Sequence, residues 1–319
     1  EWYKNTSEDL LYAVPVPEQA GVSNTTVTMN AASMNNSGFE FSATYRNRDR
    51  DFKYELSANL STLRNRVTSL GFGTDSYISG AYITNVGQEI GQFYGWAYEG
   101  IARTQEDLDN HATQEGAQIG DCLYKDISGP DGKPDGKVDA NDQVVLGSGM
   151  PKIHFGLNAR FEYKRFDLSI ATFGALNYHV SDDIYNSLNS CYGWGNKEVG
   201  MLDANRFSED GSTYLSNVPR TYVTNSASLG WNDLFSSRKI QNAAYWKIAN
   251  VELGYNFPNE WFGKYVSDVR FYVSAQNLHT FTGYHGYNVD YAGGTFTPGY
   301  NFCSYPTART FMCGVHFTF

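Results

Sequence analysis

The sequence predicts an all-β fold: an antiparallel transmembrane β-barrel with long extracellular loops. Three observations carry that prediction. Apolar and polar residues alternate with a period of two along segments of about 10 residues or more, longer than the 5–6 usual in soluble sheets. Aromatic residues gather at the ends of these segments, as the girdles of membrane barrels do. The connections alternate between short turns near 47–51, 163–165 and 258–267 and long polar stretches at 14–37, 102–151, 177–242 and 281–307. Short turns on one side and long loops on the other are the pattern of an outer-membrane barrel.

In chain order, the first segment (2–13) opens on "EWYKNTSEDLLYAV". It reads as the interior of a strand rather than a signal peptide, which leaves either a cytoplasmic protein or a piece of a longer chain. In the next pair, Phe39, Phe41, Ala43 and Tyr45 share one face, and Phe52, Tyr54, Leu56, Ala58 and Leu60 repeat the pattern after a polar turn. The partners between them are Glu40, Ser42, Thr44, Lys53, Glu55, Ser57 and Asn59. Strands are also expected at 77–87 and 92–101, where the alternation is weakest. Then Ile153, Phe155, Leu157, Ala159 and Phe161 alternate with His154, Gly156, Asn158, Arg160 and Glu162, and Phe166, Leu168 and Ile170 follow across a tight turn. Val251, Leu253, Tyr255 and Phe257, and later Val269, Phe271, Val273 and Ala275, mark strands at 243–257 and 268–280. The last, 308–319, places Phe311, Cys313, Val315, Phe317 and Phe319 on one face, as expected of the closing strand of a barrel. The total is about ten strands.

Composition narrows the function. The chain has 319 residues, is poor in charge (18%) and rich in aromatics (16%), and carries a formal net charge of −10. That balance argues against nucleic acid, because phosphate binding needs clustered Lys and Arg. The mean hydropathy is −0.46, and no run of about 18 apolar residues suggests a membrane helix. A barrel escapes both tests, since only alternate residues face lipid. None of the cysteines Cys122, Cys191, Cys303 and Cys313 forms a CxxC pair, which leaves zinc or redox chemistry little support; Cys122 and Cys191 fall in expected loops and are candidates to pair. No GxSxG motif is present, and the neighbouring carboxylates Asp182 and Asp183 point apart on an extended chain, so no catalytic constellation is expected.

The sharpest local motif is "DGKPDGKVDAND". Aligned to an EF-hand-type loop, Asp131 takes the first ligand position, Asp135 the fifth, Gly136 the turn, Lys137 the backbone carbonyl, Asp139 the ninth and Asp142 the last. Lys133 stands where the third ligand belongs, and the last ligand is Asp rather than Glu. The stretch reads either as a calcium loop completed by waters or as an acidic Gly/Pro turn that stays solvated.

A second candidate is aromatic. Tyr192, Trp194, Trp231, Tyr284, Tyr287, Tyr291, Phe296 and Tyr300 fall in the long loops, with Asn232, Asp233, Asn288 and Asp290 as hydrogen-bonding neighbours. Rings of this kind stack on sugars or anchor peptide side chains, and equally pack loops together. Inward polar residues such as Arg160, Glu162, Glu252 and Arg270 fit a wet barrel interior, with His154 and His316 on the same face.

Several stretches, in order, resemble the C-terminal part of SusC/RagA-type TonB-dependent transporters. Among them are "MNNSGFEFSATY", "VGQEIGQFYGWAYEGI", "YKDISGPDGKPDGKVDANDQVVLGSGMPKIHFGLN", "AAYWKIANVELGYNFP" and "YPTARTFMCGVHFTF". The resemblance implies that the chain is a portion of a plugged barrel of about 22 strands. It further implies an outer membrane, a SusD-like surface lipoprotein as partner, a TonB complex acting through a part outside this chain, and oligosaccharides or peptides as substrate. It implies no cofactor beyond a calcium ion in the 131–142 loop, if that loop binds metal. The competing architecture is a soluble β-sandwich that binds carbohydrate, with the alternating apolar faces turned into a core.

Overall fold

A computed structural model describes residues 1–15, 26–71, 73–191, 195–221, 230–262, 266–290 and 293–319. Eight long strands run side by side in one antiparallel sheet: β1 (Trp2–Pro15), β2 (Thr26–Asn47), β3 (Phe52–Thr62), β4 (Ile153–Tyr163), β5 (Phe166–Leu176), β6 (Tyr245–Asn256), β7 (Asp268–Thr282) and β8 (Thr310–Thr318). Each pairs with its neighbours in sequence order, and a ninth strand, Arg64–Ser69, pairs with the first half of β2. β1 and β8 are the outer strands, and each has one partner in the sheet. Among the described residues no helix is long and apolar enough to cross a membrane, which says nothing against crossing by strands.

The register turns the sequence alternation into two faces. One row across the sheet reads Tyr45, Leu56, Ala159, Ile170, Val251, Ala275 and Phe311; the row one residue away reads Thr44, Ser57, Asn158, Ala171, Asn250, Gln276 and Thr310. A one-residue slip anywhere would exchange these faces, so the apolar row fixes the register. The tight turn between β4 and β5 is Lys164–Arg165, with Lys164 at φ 53°, the left-handed geometry that lets a two-residue loop follow the strand twist.

Among the described residues nothing covers the apolar face. Phe39, Phe41, Leu157, Val273 and Phe311 are all exposed. The buried clusters lie elsewhere, at the loop ends of the strands and in the loops. One joins Ala175, Tyr178, Val180, Ala243, Tyr245, Tyr284 and Val289; a second joins Ala32, Met34, Val67, Leu70 and Ile90; a third joins Cys122, Tyr124 and Val138. A sandwich would bury the alternating face and leave the loops thin, so this distribution separates a barrel wall from a sandwich.

Aromatic rings border the apolar band. At the short-turn end Phe52 stacks on Phe161 at 5.9 Å, Phe166 meets Tyr255 at 4.8 Å, and Phe257 packs on Trp261. At the long-loop end Trp246 stacks on Phe281 at 5.3 Å. Trp246 and Tyr255 lie on the same strand, and at about 3.3 Å per residue with a tilt of about 40° the band between them is roughly 20 Å tall, the scale of a barrel's lipid-facing belt.

The stretches 77–87 and 92–101 correct the sequence reading. They are not wall strands. Ser76–Ser79, Tyr82–Asn85 and Gln92–Trp96 join Gln143–Ser148 in a small separate sheet, and Tyr98–Ile101 pairs with Cys122–Tyr124. Their apolar faces are satisfied within the loop: Phe93 is fully buried against Tyr82 and Phe235. Removing two strands leaves the parity unchanged, so the short connections still share one end of the sheet. β2 starts earlier than its alternation suggests because its first half pairs with β1 and with Arg64–Ser69.

Candidate functional site

The polar face carries a connected ionic network near the short turns. Arg270 on β7 donates to both oxygens of Asp167 on β5, at 3.0 and 2.5 Å, and to Glu252 on β6 at 2.7 Å. Three strands are thereby tied by one guanidinium, whose planar fork suits a bidentate carboxylate. Arg160 lies 3.1 Å from Glu162, and Arg46 bonds Glu55 twice across the β2–β3 pair. His154 is exposed on this face.

In the acidic loop the carboxylates hold backbone. Asp142 is fully buried and its Oδ1 accepts from the N–H groups of Ile127 and Ser128, at 2.6 and 2.9 Å, while its Oδ2 accepts from Asp139 N at 2.7 Å. Burial opposes its ionisation, but those donors overcome the penalty and keep it below the usual carboxylate range. Asp139 caps the turn that follows by accepting from Asn141 N at 2.7 Å. Asp135 Oδ1 accepts from Lys137 N at 3.0 Å, and the N–H groups of Asp135 and Gly136 donate to Asp126, a residue outside the motif. Asp131 is exposed. Among the described residues no three His, Cys, Asp or Glu side chains converge in a metal-binding group.

The loop aromatics divide. Tyr192, Trp194 and Tyr291 lie outside the described residues. Trp231 packs into the cluster around Cys122 and Tyr124, donates Nε1–H to Glu115 O at 2.8 Å, and accepts the Tyr124 hydroxyl proton on its carbonyl. Phe296 packs on the cluster that holds Met34 and Leu70, while Tyr300 stacks with Phe302 at the surface. Asn232 is buried and bonds Cys122 N, Asp121 and Arg220 O, and Asp233 accepts from Cys191 N. Tyr284 is buried, and its hydroxyl donates to Asp182 while accepting from Asn301 at 2.7 Å. Tyr287 is 65% exposed. Asn288 folds its own loop, accepting from Asp290 N at 2.9 Å and donating to Tyr305 O at 3.3 Å. Cys122 and Cys191 are buried free thiols, both pushed up to about 12 by that burial.

Asp290 reaches from the loop to the polar face of the wall, where Lys247 Nζ of β6 lies 2.5 Å away. Lys247 is 3% exposed and also sits 5.7 Å over the Phe173 ring. Nothing in the alternation of β6 marks Lys247, and Tyr178, which shares the adjoining cluster, stands in a stretch that reads only as polar loop. A cavity of about 490 Å³ opens here between the β4–β6 wall and the loop segments 149–151, 289–290 and 293–299.

No family model matches the sequence. Individual proteins do. The chain is 30% identical over its whole length to "TonB-dependent receptor P3" of Formosa agariphila, and 25% identical over 99% of its length to "TonB-dependent receptor SusC" of Bacteroides thetaiotaomicron. It spans 32% and 29% of those proteins, about a third of the length of the curated relatives it matches. Among solved structures, the RagAB peptide transporter matches the whole chain with a TM-score of 0.77 at 22% identity, and the "open-open" state of the RagAB peptide importer with 0.74 at 24%. In each case the match covers 32% of the solved chain. At those identities the structures speak for the fold: this sheet is part of the same barrel. Sequence similarity along the entire chain and the shared barrel wall make this chain an outer-membrane barrel segment of the SusC/RagA type of TonB-dependent receptor.

Proposed function

We propose that the complete protein, of which this chain is one wall segment, imports nutrient oligomers across the outer membrane under the control of a TonB complex, with a SusD-like lipoprotein partner at the cell surface. One observation carries the reading: the chain follows the barrel fold of the RagAB importer from end to end while keeping its bulk in the long loops. The wall supplies the passage and the loops supply the surface that meets solute and partner. Peptides are the favoured substrate class, in line with the activity named for the RagAB structures; oligosaccharides are the other class this scaffold suits. Tyr287, Trp231, Tyr284, Asn288 and Asp290 are the loop residues proposed to meet or shape the site, together with Tyr192, Trp194 and Tyr291, which lie outside the described residues. The wall alone performs no release step, which falls to the plug and the TonB-contacting part of the whole protein.

The test is fractionation followed by purification of the native protein under mild detergent. The expected result is a polypeptide about three times the length of this segment, confined to the outer membrane, together with a lipoprotein. Uptake of a casein digest by the intact cells should depend on both. A soluble product of the segment's own size would overturn the proposal and return the β-sandwich binding module.

A further inference from the structure

The cavity between the β4–β6 wall and the loops has the chemistry of a recognition site. Its walls are apolar over much of their area, through Met150, Pro151, Ala175, Val289 and Pro298. Few polar side chains reach it: His154, Tyr178, Tyr245 and Asp290. Tyr178 is 4% exposed, and its hydroxyl is buried with no hydrogen-bond partner among the described residues. Leaving such a group unpaired destabilises the fold unless something meets it. Burial, and after it the charge of Asp290, push the Tyr178 phenol up, so it stays a neutral O–H donor at any physiological pH. The Asp290 carboxylate bonds Lys247 and meets the Tyr245 phenol, and its two oxygens keep acceptor capacity beyond those contacts. The shape is held by close backbone approach: a Cβ on Gly149 would fall 2.0 Å from Pro298 O, so only glycine lets the two loop segments meet there. The volume, about 490 Å³, lies within the range of small-ligand pockets.

We propose that this cavity is a binding site for a short peptide segment, with the Tyr178 hydroxyl donating to a peptide carbonyl, the Asp290 carboxylate accepting a peptide N–H or α-ammonium, and the Met150–Pro151–Val289 wall holding an apolar side chain. The inference rests on the importer reading and gives its substrate a place. A peptide unit brings one donor and one acceptor, which matches the polar groups on offer. A sugar residue brings several hydroxyls, and most would be left unpaired against the apolar wall.

The experiment uses the full-length receptor with its lipoprotein, a tryptic digest of casein as probe, and maltoheptaose as the glycan comparison; bound material is quantified by mass spectrometry. Tyr178→Phe removes only the orphan hydroxyl and should weaken retention of the peptides about 3- to 10-fold, the scale of one hydrogen bond. His154→Trp, placed at an exposed position on the polar face, should fill the cavity and abolish retention at that site. The heat-modifiable gel mobility of the barrel reports that each variant is folded. If the wild type retains peptides and both folded variants retain them equally, the cavity is overturned while the importer reading stands. If the wild type takes maltoheptaose and no peptide, the peptide class falls with it.

Discussion

Lys247 Nζ and Asp290 Oδ2 lie 2.5 Å apart, and this contact fastens the 283–309 loop to the inner face of the barrel wall. The lysine is almost wholly buried, whereas the Asp290 side chain is 28% exposed. Asp290→Asn would leave a buried ammonium without its counter-charge. The expected cost is about 2–3 kcal/mol, below the 3–5 of a fully buried pair because water reaches one partner. Hydrogen exchange across 283–309 should accelerate in this variant while exchange in β4 and β5 stays unchanged.

The two faces of the wall predict opposite responses to a charge. Leu157 and Asn158 are neighbours on β4, both exposed, and belong to opposite rows of the sheet. Leu157→Arg puts a guanidinium in the lipid belt and should destabilise the folded barrel by about 2–4 kcal/mol, read from urea unfolding in liposomes. Asn158→Arg faces the wet interior and should change stability little. Equal effects at both positions would contradict the assignment of faces.

The acidic loop has its own pH signature. The Asp142 carboxyl is held below its ordinary range, so it contributes stability above the unfolded carboxylate value, near about pH 4, and loses that contribution as the pH falls through the lower folded value. Asp142→Ala leaves the N–H groups of Ile127, Ser128 and Asp139 without their acceptor, at a cost of about 1–3 kcal/mol. Because Asp126 and Asp142 already serve backbone donors, added calcium is expected to leave the protease resistance of 126–142 unchanged. A calcium-dependent gain in resistance would instead place the ion on Asp131, Asp135, Asp139 and Asp142.

Thiol chemistry sorts the cysteines. Cys122 and Cys191 are buried with thiols raised to about 12, so almost no thiolate is present at pH 8. A water-soluble maleimide should label the exposed loop residue Cys303 and spare both until the protein is unfolded. Rapid native labelling at position 122 would show that the Trp231–Tyr124 cluster opens readily.

The sequence alone determined the wall. Alternation over 52–62, 153–163 and 166–176 is legible because one-sided burial in lipid leaves a period-two trace, and the paired rows from Tyr45 to Phe311 then follow from register. Alternation reports that a face is covered without naming the cover, which is why 77–101 reads as wall although Tyr82 and Phe93 pack inside a loop. The acidic spacing from Asp131 to Asp142 was likewise visible, but not that Asp126, nearby in the chain and outside the motif, shares the work of holding that turn. Only the tertiary structure decided that Trp231 and Tyr284 turn inward and that Lys247 meets Asp290. It also brought Tyr178, His154 and Asp290 to one cavity, because His154 lies on β4 and the other two in separate connections, and they meet only when the sheet aligns the ends of β4, β5 and β6 beneath a loop more than 40 residues further along the chain than Lys247.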